Sequence, residues 1–195
     1  MRARDAPNKT VRYLALLRGI NVGGKNVVSM SELRACFERL GLQNVSTYIQ
    51  SGNVIFESSS RSTAKLSRTI EQAVSAARAK RAYTVVVVLS HEQLADVVEK
   101  APAGFGADLA QYRYDVIFLR APVCARDVLP DIRINPAADQ VLAANGVVYF
   151  QRLIAEASKS YLAKLAGHSQ YRAMTLRNWN TALKLYELMG VRERL

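Results

Sequence analysis

Residues 13–56 read YLALLRGINVGGKNVVSMSELRACFERLGLQNVSTYIQSGNVIF, and their pattern decides the fold of the first half of the chain. An apolar run ends at Arg18, and a loop rich in glycine and asparagine follows it. An amphipathic segment comes next, and then two short apolar runs with Gly52 between them. This order predicts a strand, a loop, a helix and a β-hairpin.

Local signals mark both ends of the helix in this stretch. Ser29 and Glu32 fit a capping box, in which the serine hydroxyl accepts from the Glu32 backbone N–H and the carboxylate reaches back to the Ser29 backbone. Gly41 stands where a glycine ends a helix. We therefore expect a helix over residues 30–40.

The rest of the first half continues the same alternation. Apolar spacing predicts a second helix over residues 62–80, and a run rich in valine predicts a strand over residues 83–89. After a short tail at residues 1–11, the order is β-α-β-β-α-β, which is the ferredoxin-like order. We expect residues 12–100 to form a ferredoxin-like N-terminal domain.

A stretch rich in proline and glycine at residues 101–112 predicts a linker and a domain boundary. After it, Asn145-Gly146 is a strong signal for a two-residue hairpin turn. We expect a helix that begins at Ser158 or Ser160, a short strand over residues 171–174 and a final helix over residues 176–189. The predicted fold class is α+β, with two ferredoxin-like (β-α-β-β-α-β) halves in tandem, the second being a smaller α+β domain over residues 113–195 that ends in a helix.

The chain has 195 residues, half of them hydrophobic, and a net charge of +11. This composition supports a packed core and one large or two small domains. The basic excess lies in both ends of the chain and not in residues 101–151. Such an excess attracts polyanions, although solubility or a genome that favours arginine would explain it equally well.

Composition also bounds the chemistry. Two cysteines, Cys36 and Cys124, and two histidines form no zinc-binding spacing, so we expect no metal and no cofactor. Reduced cysteines and the lack of a signal-peptide pattern predict a cytoplasmic protein. No run reaches the ~18 apolar residues that a membrane span needs.

The glycine loop is the first candidate site. Gly19, Gly24 and Lys25 have the spacing of a phosphate-binding P-loop, but Asn26 stands where Ser or Thr would hold Mg²⁺, so we reject an NTPase. Gly23 and Gly24 allow several backbone N–H groups to point at one anion, and Lys25 adds charge. The alternative is that these glycines only turn the chain between the strand and the helix.

Polar residues at the tip of the predicted hairpin strengthen the functional interpretation, because a turn alone needs only one glycine or asparagine. The hairpin tip and the glycine loop need not share a pocket, since they can lie at opposite ends of a sheet. The candidate ligand-binding residues of this region are Arg18, Asn21, Gly23, Gly24, Lys25, Asn26, Gln50, Ser51 and Asn53.

The last predicted helix provides the second candidate site. Thr175 fits its N-cap and Asn178 its third position, which places Arg177 in the first turn. A cation there is disfavoured by the helix dipole unless an anion docks at the same end. Lys159 and Lys164 would add to the field. The alternative is that Arg177 is merely exposed. We expect Trp179 to lie in the core.

Other chemistry is sparse. His168 has no visible acidic partner, and neither a hydrolase elbow nor a pair of catalytic carboxylates occurs, so we assign no catalytic residue. The aromatic signature of RNA-recognition modules is also missing.

Three strings carry a family resemblance. They are LRGINVGGKN at residues 17–26, YIQSGNVIF at residues 48–56, and RNWNT at residues 177–181 followed by Lys184-Leu185. Together they resemble the bacterial domain-of-unknown-function family 1697. The resemblance implies a two-part α+β protein, and no reaction carries over from it.

The leading hypothesis is a binding module for an anionic ligand, either a nucleic acid or a phosphorylated small molecule. The alternatives are an enzyme that acts on such a small molecule and a protein-interaction module. If the two halves pack side by side, Lys25 and Arg177 would face one groove.

Overall fold

The structure is a computed structural model that describes residues 10–20, 28–77 and 84–190. The described residues form an α+β fold with two four-stranded antiparallel sheets. The elements of the first half are β1 (Val11–Arg18), α1 (Met30–Arg39), β2 (Gln43–Tyr48), β3 (Asn53–Ser58), α2 (Thr63–Ala77), β4 (Val85–Ser90) and α3 (His91–Glu99).

The first sheet has the strand order β2-β3-β1-β4. The prediction that these four strands share one sheet is confirmed. Helices α1 and α2 cover one of its faces, where Phe37 and Ile70 pack against Phe56 and Val86. The predicted end of the second helix lies at residues 78–80, outside the described residues.

Local capping explains why α1 begins where it does. Glu32 N donates to Ser29 Oγ at 3.1 Å, and Ser29 N donates to Glu32 Oε2 at 3.0 Å. The helix ends before Gly41, whose φ of +75° favours glycine. The predicted capping box and the glycine stop are therefore confirmed.

The second sheet repeats the strand order of the first, as β6-β7-β5-β8. Its hairpin turn is Asn145-Gly146, as predicted, with φ values of +52° and +78°. Its strands and the helices after β5 and β8 are β5 (Tyr112–Leu119), α4 (Ala125–Val128), β6 (Asp139–Ala144), β7 (Val147–Leu153), β8 (Met174–Asn178) and α5 (Trp179–Gly190).

Three expectations for the second half are wrong. The helix expected near residues 158–167 consists of two 3-10 segments, Ile154–Lys159 and Leu162–Gly167, and the strand expected at residues 171–174 is a 3-10 turn until Ala173. The final helix begins at Trp179 and not at residue 176. Residues 174–178 instead pair with β5 as the edge strand of the second sheet, and this pairing satisfies their backbone groups before the helix begins.

The two sheets share a core. Leu14 and Leu16 of β1, Val116 of β5, and Leu185 of α5 belong to one buried cluster to which α3 also contributes. On the far face of the second sheet, a separate cluster of buried residues packs under α4 and the 3-10 segments. The two halves are therefore joined through apolar contacts and not by the chain alone.

The predicted boundary at residues 101–112 packs into the shared core. The Phe105 ring lies 4.9 Å from Tyr114, 5.0 Å from Tyr149 and 5.2 Å from Trp179, measured between ring centres. A Cβ atom at Gly106 would lie 2.2 Å from the Trp179 Nε1 atom, so no larger residue fits there without rearrangement. Across the described ranges, no helix combines the length and the apolar character that crossing a membrane requires.

Candidate functional site

Arg177 extends from β8 to the first sheet and is only 8% exposed. Its guanidinium donates to six protein oxygen atoms at 2.5–3.2 Å. These are Asn53 Oδ1, Thr175 Oγ1 and the backbone oxygens of Leu176, Leu17, Ser51 and Gly52. Four of the six acceptors belong to the first half of the chain, so Arg177 ties the halves together.

None of these six acceptors is a carboxylate. Burial lowers the pKa of Arg177 to about 10, which leaves the guanidinium protonated at neutral pH. Carbonyl and amide oxygens offset the loss of water around the charge, because each accepts a charge-assisted hydrogen bond. Their convergence on one cation gives the side chain a structural role.

Asn53 is fully buried and holds the hairpin tip in place. Its Nδ2 atom donates to Tyr48 O at 3.1 Å and to Ser51 Oγ at 2.9 Å, while its Oδ1 atom accepts from Arg177. Gly52 lies against the end of β1, where Leu17 N donates to Gly52 O at 2.8 Å. The hairpin tip and the start of the glycine loop therefore adjoin.

Arg18 forms a second link between the halves. Its Nη1 atom donates to the backbone oxygens of Tyr171 and Met174, and its guanidinium lies 4.3 Å from the centre of the Tyr171 ring. We call the group of Arg18, Ser51, Asn53, Thr175 and Arg177 the junction. In the junction, both arginines bind protein atoms of the other half.

The predicted helix-terminal site is wrong in its geometry. Thr175 is a fully buried strand residue and not an N-cap. The N-cap is Asn178, whose Oδ1 atom accepts from Thr181 N at 2.9 Å. Arg177 therefore lies in a strand that pairs with β5, not in the first turn of a helix.

The remaining predicted site residues are dispersed. Gln50 is exposed at the hairpin tip. Lys159 pairs with Glu156 at 2.6 Å, and its backbone oxygen accepts from Asn135, so these contacts lie away from the junction. The other five predicted residues lie outside the described residues, namely Asn21, Gly23, Gly24, Lys25 and Asn26.

A large open cleft lies elsewhere, on the outer side of the second half. It encloses about 710 Å³ between the 3-10 segments Leu129–Asp131 and Leu162–Gly167. Arg133, Lys164, His168 and Ser169 supply its polar lining together with Asp131. We call this feature the basic cleft.

The two cations of the basic cleft are exposed, unlike those of the junction. Lys164 Nζ lies 3.0 Å from the centre of the Tyr161 ring, a cation–π contact that positions the ammonium group without neutralising it. Among the described residues, no ion pair joins Arg133 or Lys164 to an acid. Both charges are therefore accessible to a ligand.

His168 lies in the cleft with both ring nitrogens engaged. Nε2 lies 3.0 Å from Val128 O, and Nδ1 accepts from Gln170 N at 3.0 Å. Both contacts are satisfied when Nε2 carries the proton. The backbone therefore holds the ring in place. This arrangement favours a structural role for His168 over a role as a general base.

Sequence reasoning missed Arg133 and gave Lys164 only a supporting place. The two residues come from segments on either side of a hairpin, and no motif connects them. The described residues hold no group of three His, Cys, Asp or Glu side chains suited to a metal ion.

Comparison with known proteins places the chain in a family. Residues 11–149 match the family described as "Protein of unknown function (DUF1697)", and the chain belongs to that family, as the sequence resemblance predicted. No curated protein matches it.

A solved structure, that of the conserved bacterial protein SP0830 from Streptococcus pneumoniae, is similar to this chain. The two are 30% identical, with a TM-score of 0.79, over 93% of this chain and 100% of the other. The shared fold thus extends beyond the residues matched by the family.

Proposed function

We propose that this protein is a binding module for an anionic ligand, a phosphorylated small molecule or a nucleic acid, whose phosphate groups dock in the basic cleft. The observation that carries the proposal is the cleft itself. Its volume of about 710 Å³ lies within the range typical of ligand sites, roughly 300–1,000 Å³. Its two accessible cations are Arg133 and Lys164.

The chemistry of the lining suits phosphate groups. A guanidinium can donate to two phosphate oxygens at once, and an ammonium group adds a flexible point charge. Each such bond contributes about 1.5–3 kcal/mol before desolvation and ordering are subtracted. Two of them total about 3–6 kcal/mol, which supports roughly millimolar binding by these two side chains alone, and the chain's net charge of +11 speeds the encounter.

Binding is favoured over catalysis by the state of His168. A general base needs a free nitrogen within reach of its substrate, and both nitrogens of this ring already contact backbone atoms. The enzyme alternative would therefore depend on groups other than this histidine.

Isothermal titration calorimetry with pyrophosphate and with a generic single-stranded oligonucleotide tests the proposal. The double variant Arg133→Ala/Lys164→Ala should weaken binding at least tenfold. The matched control Arg34→Ala/Lys65→Ala removes the same charge from exposed positions of α1 and α2 and should bind as the wild type does. Equal losses in both variants would reduce the effect to net charge and overturn the proposal.

Salt separates the two ligand classes. An affinity for the oligonucleotide that falls steeply with salt, together with weak pyrophosphate binding, assigns a nucleic acid. Tight pyrophosphate binding with a shallow salt dependence assigns a phosphorylated small molecule.

We also infer that each half has a ferredoxin-like architecture, with residues 12–100 and 113–195 on either side of residues 101–112. The support is the strand order, which is the same in both sheets, and the β-α-β-β-α-β order of residues 11–90. The second half departs from this pattern because 3-10 segments replace the long second helix.

A further inference from the structure

A small cavity lies where the two halves meet, and it has no lining residue in common with the basic cleft. It measures about 90 Å³. Thr63, Ser67 and Arg68 of α2 form one side, and Arg120, which follows β5, forms the other. We call it the seam cavity.

Arg120 lines the cavity, and one of its donors is unpaired. Its Nη1 atom donates to Glu71 Oε2 at 3.0 Å, but its Nε atom is buried and has no hydrogen-bond partner among the described residues. Buried donors are nearly always paired, because an unpaired one loses its water without replacement. The guanidinium therefore lacks one acceptor.

The acid beside the cavity is fully used. Glu71 Oε2 pairs with Arg120, and Glu71 Oε1 accepts from the backbone N–H of Val86 at 3.0 Å. Arg68 is exposed, and within the described ranges it has no ion-pair partner. The lining therefore has one positive charge in excess of its acids.

Hydroxyl groups and a helix terminus complete the donor set. Ser67 Oγ accepts from Val88 N at 3.2 Å, which leaves its own hydrogen free to donate. The helix α2 begins at Thr63, so its positive dipole end lies at the cavity wall. These groups recognise oxygen atoms that carry negative charge.

The size of the cavity limits the ligand. A volume of about 90 Å³ equals the share of roughly three water molecules in the liquid. One tetrahedral oxyanion fits such a space, whereas a nucleoside or a sugar does not. We propose that the seam cavity binds a single phosphate group, between Arg68 of the first half and Arg120 of the second.

This site is independent of the basic cleft, which takes a larger ligand. Since its two cations come from different halves of the chain, phosphate bound there bridges them. A ligand that binds only the folded protein raises its melting temperature, and the rise grows with the logarithm of the ligand concentration once this exceeds the dissociation constant. Inorganic phosphate is therefore expected to stabilise the protein against heat.

Thermal unfolding in inorganic phosphate, against sodium chloride of equal ionic strength, tests this proposal. Phosphate should raise the melting temperature of the wild type and of the control Arg34→Ala, and should leave that of Arg68→Ala unchanged. Arg68 is exposed and unpaired within the described residues, so its removal leaves the fold intact. An equal rise in Arg68→Ala, or an equal rise in chloride, overturns the proposal.

The double variant Arg133→Ala/Lys164→Ala separates the two sites. This variant should keep the rise in melting temperature with inorganic phosphate. If the rise is lost, the response belongs to the basic cleft and the seam site is rejected. Glycerol phosphate distinguishes the source of the phosphate. A response equal to that of inorganic phosphate points to a terminal phosphate of a larger molecule, and a weaker one points to the free ion.

Discussion

The junction and the basic cleft both contain cations, but those of the junction contact protein oxygen atoms and those of the cleft are exposed to solvent. Arg177 is buried and donates to six protein oxygens. Arg133 and Lys164 are exposed, and within the described part of the chain no ion pair neutralises them. Charge alone therefore does not identify a ligand site, since the number of protein acceptors and the exposure of the side chain distinguish the two roles.

The largest expected effect is the loss of Arg177. Arg177→Met leaves several buried carbonyl oxygens unpaired, and we expect the free energy of unfolding to fall by about 4 kcal/mol. Denaturant unfolding followed by the fluorescence of Trp179, the chain's single tryptophan, measures it. Lys184→Met removes a partly exposed cation of α5 that pairs with Glu187 at 2.7 Å, and it should change stability by about 0.5 kcal/mol or less.

The variant Arg177→Lys separates the effect of the positive charge from that of the hydrogen bonds. An ammonium group cannot reproduce the planar fork that reaches both halves, so lysine should recover less than half of the loss. Full recovery would show that the positive charge, and not the set of hydrogen bonds, stabilises the junction.

A smaller loss is expected from Gly52→Ala. Gly52 has a φ of +72°, and a Cβ atom there would lie 2.9 Å from Leu17 O, a backbone atom that cannot move aside cheaply. We expect a loss of about 2–3 kcal/mol. Gly41→Ala is the matched control, since it has the same sign of φ but open space, and it should lose only about 1 kcal/mol in chemical unfolding.

The next effect concerns Arg18. Its ring contact with Tyr171 predicts a coupling of about 0.5–1 kcal/mol in a double-mutant cycle of Arg18→Ala and Tyr171→Ala, read from unfolding free energies. Additive losses would mean that Arg18 acts only through the backbone oxygens that it contacts.

The smallest effect on stability is expected at the basic cleft. Arg133→Ala/Lys164→Ala should unfold within about 0.5 kcal/mol of the wild type, because exposed substitutions remove few contacts. Circular dichroism melts measure this. A loss comparable to that of Arg177→Met would make the cleft a second structural junction and remove the contrast between the two regions.

The first half of the fold could be predicted because its signals are local. Ser29 and Glu32 lie three residues apart, and Gly41 acts through its own torsion angles. Residues close together in the sequence are therefore sufficient to predict the ends of this helix. The turn predicted at Asn145-Gly146 in the second half is confirmed for the same reason, because its signal is also local.

The strand β8 and the two sites could not be predicted, because they depend on residues that are far apart in the sequence. Residues 174–178 have a pattern that fits a helix as well as a strand, and only the pairing with β5 decides between them. The acceptors of Arg177 lie as many as 160 positions away, and Arg133 and Lys164 meet only through the fold. The predicted role of Lys25 in anion binding stays a prediction, because it lies outside the described residues.

The position of α5 has a consequence for how the chain is made. Trp179, Leu185 and Met189 complete a core whose first members, Leu14 and Leu16, leave the ribosome much earlier. Until α5 has been synthesised, the inner face of the first sheet exposes apolar side chains to water. Such a nascent chain is prone to aggregate and is a natural client for chaperones that act during synthesis.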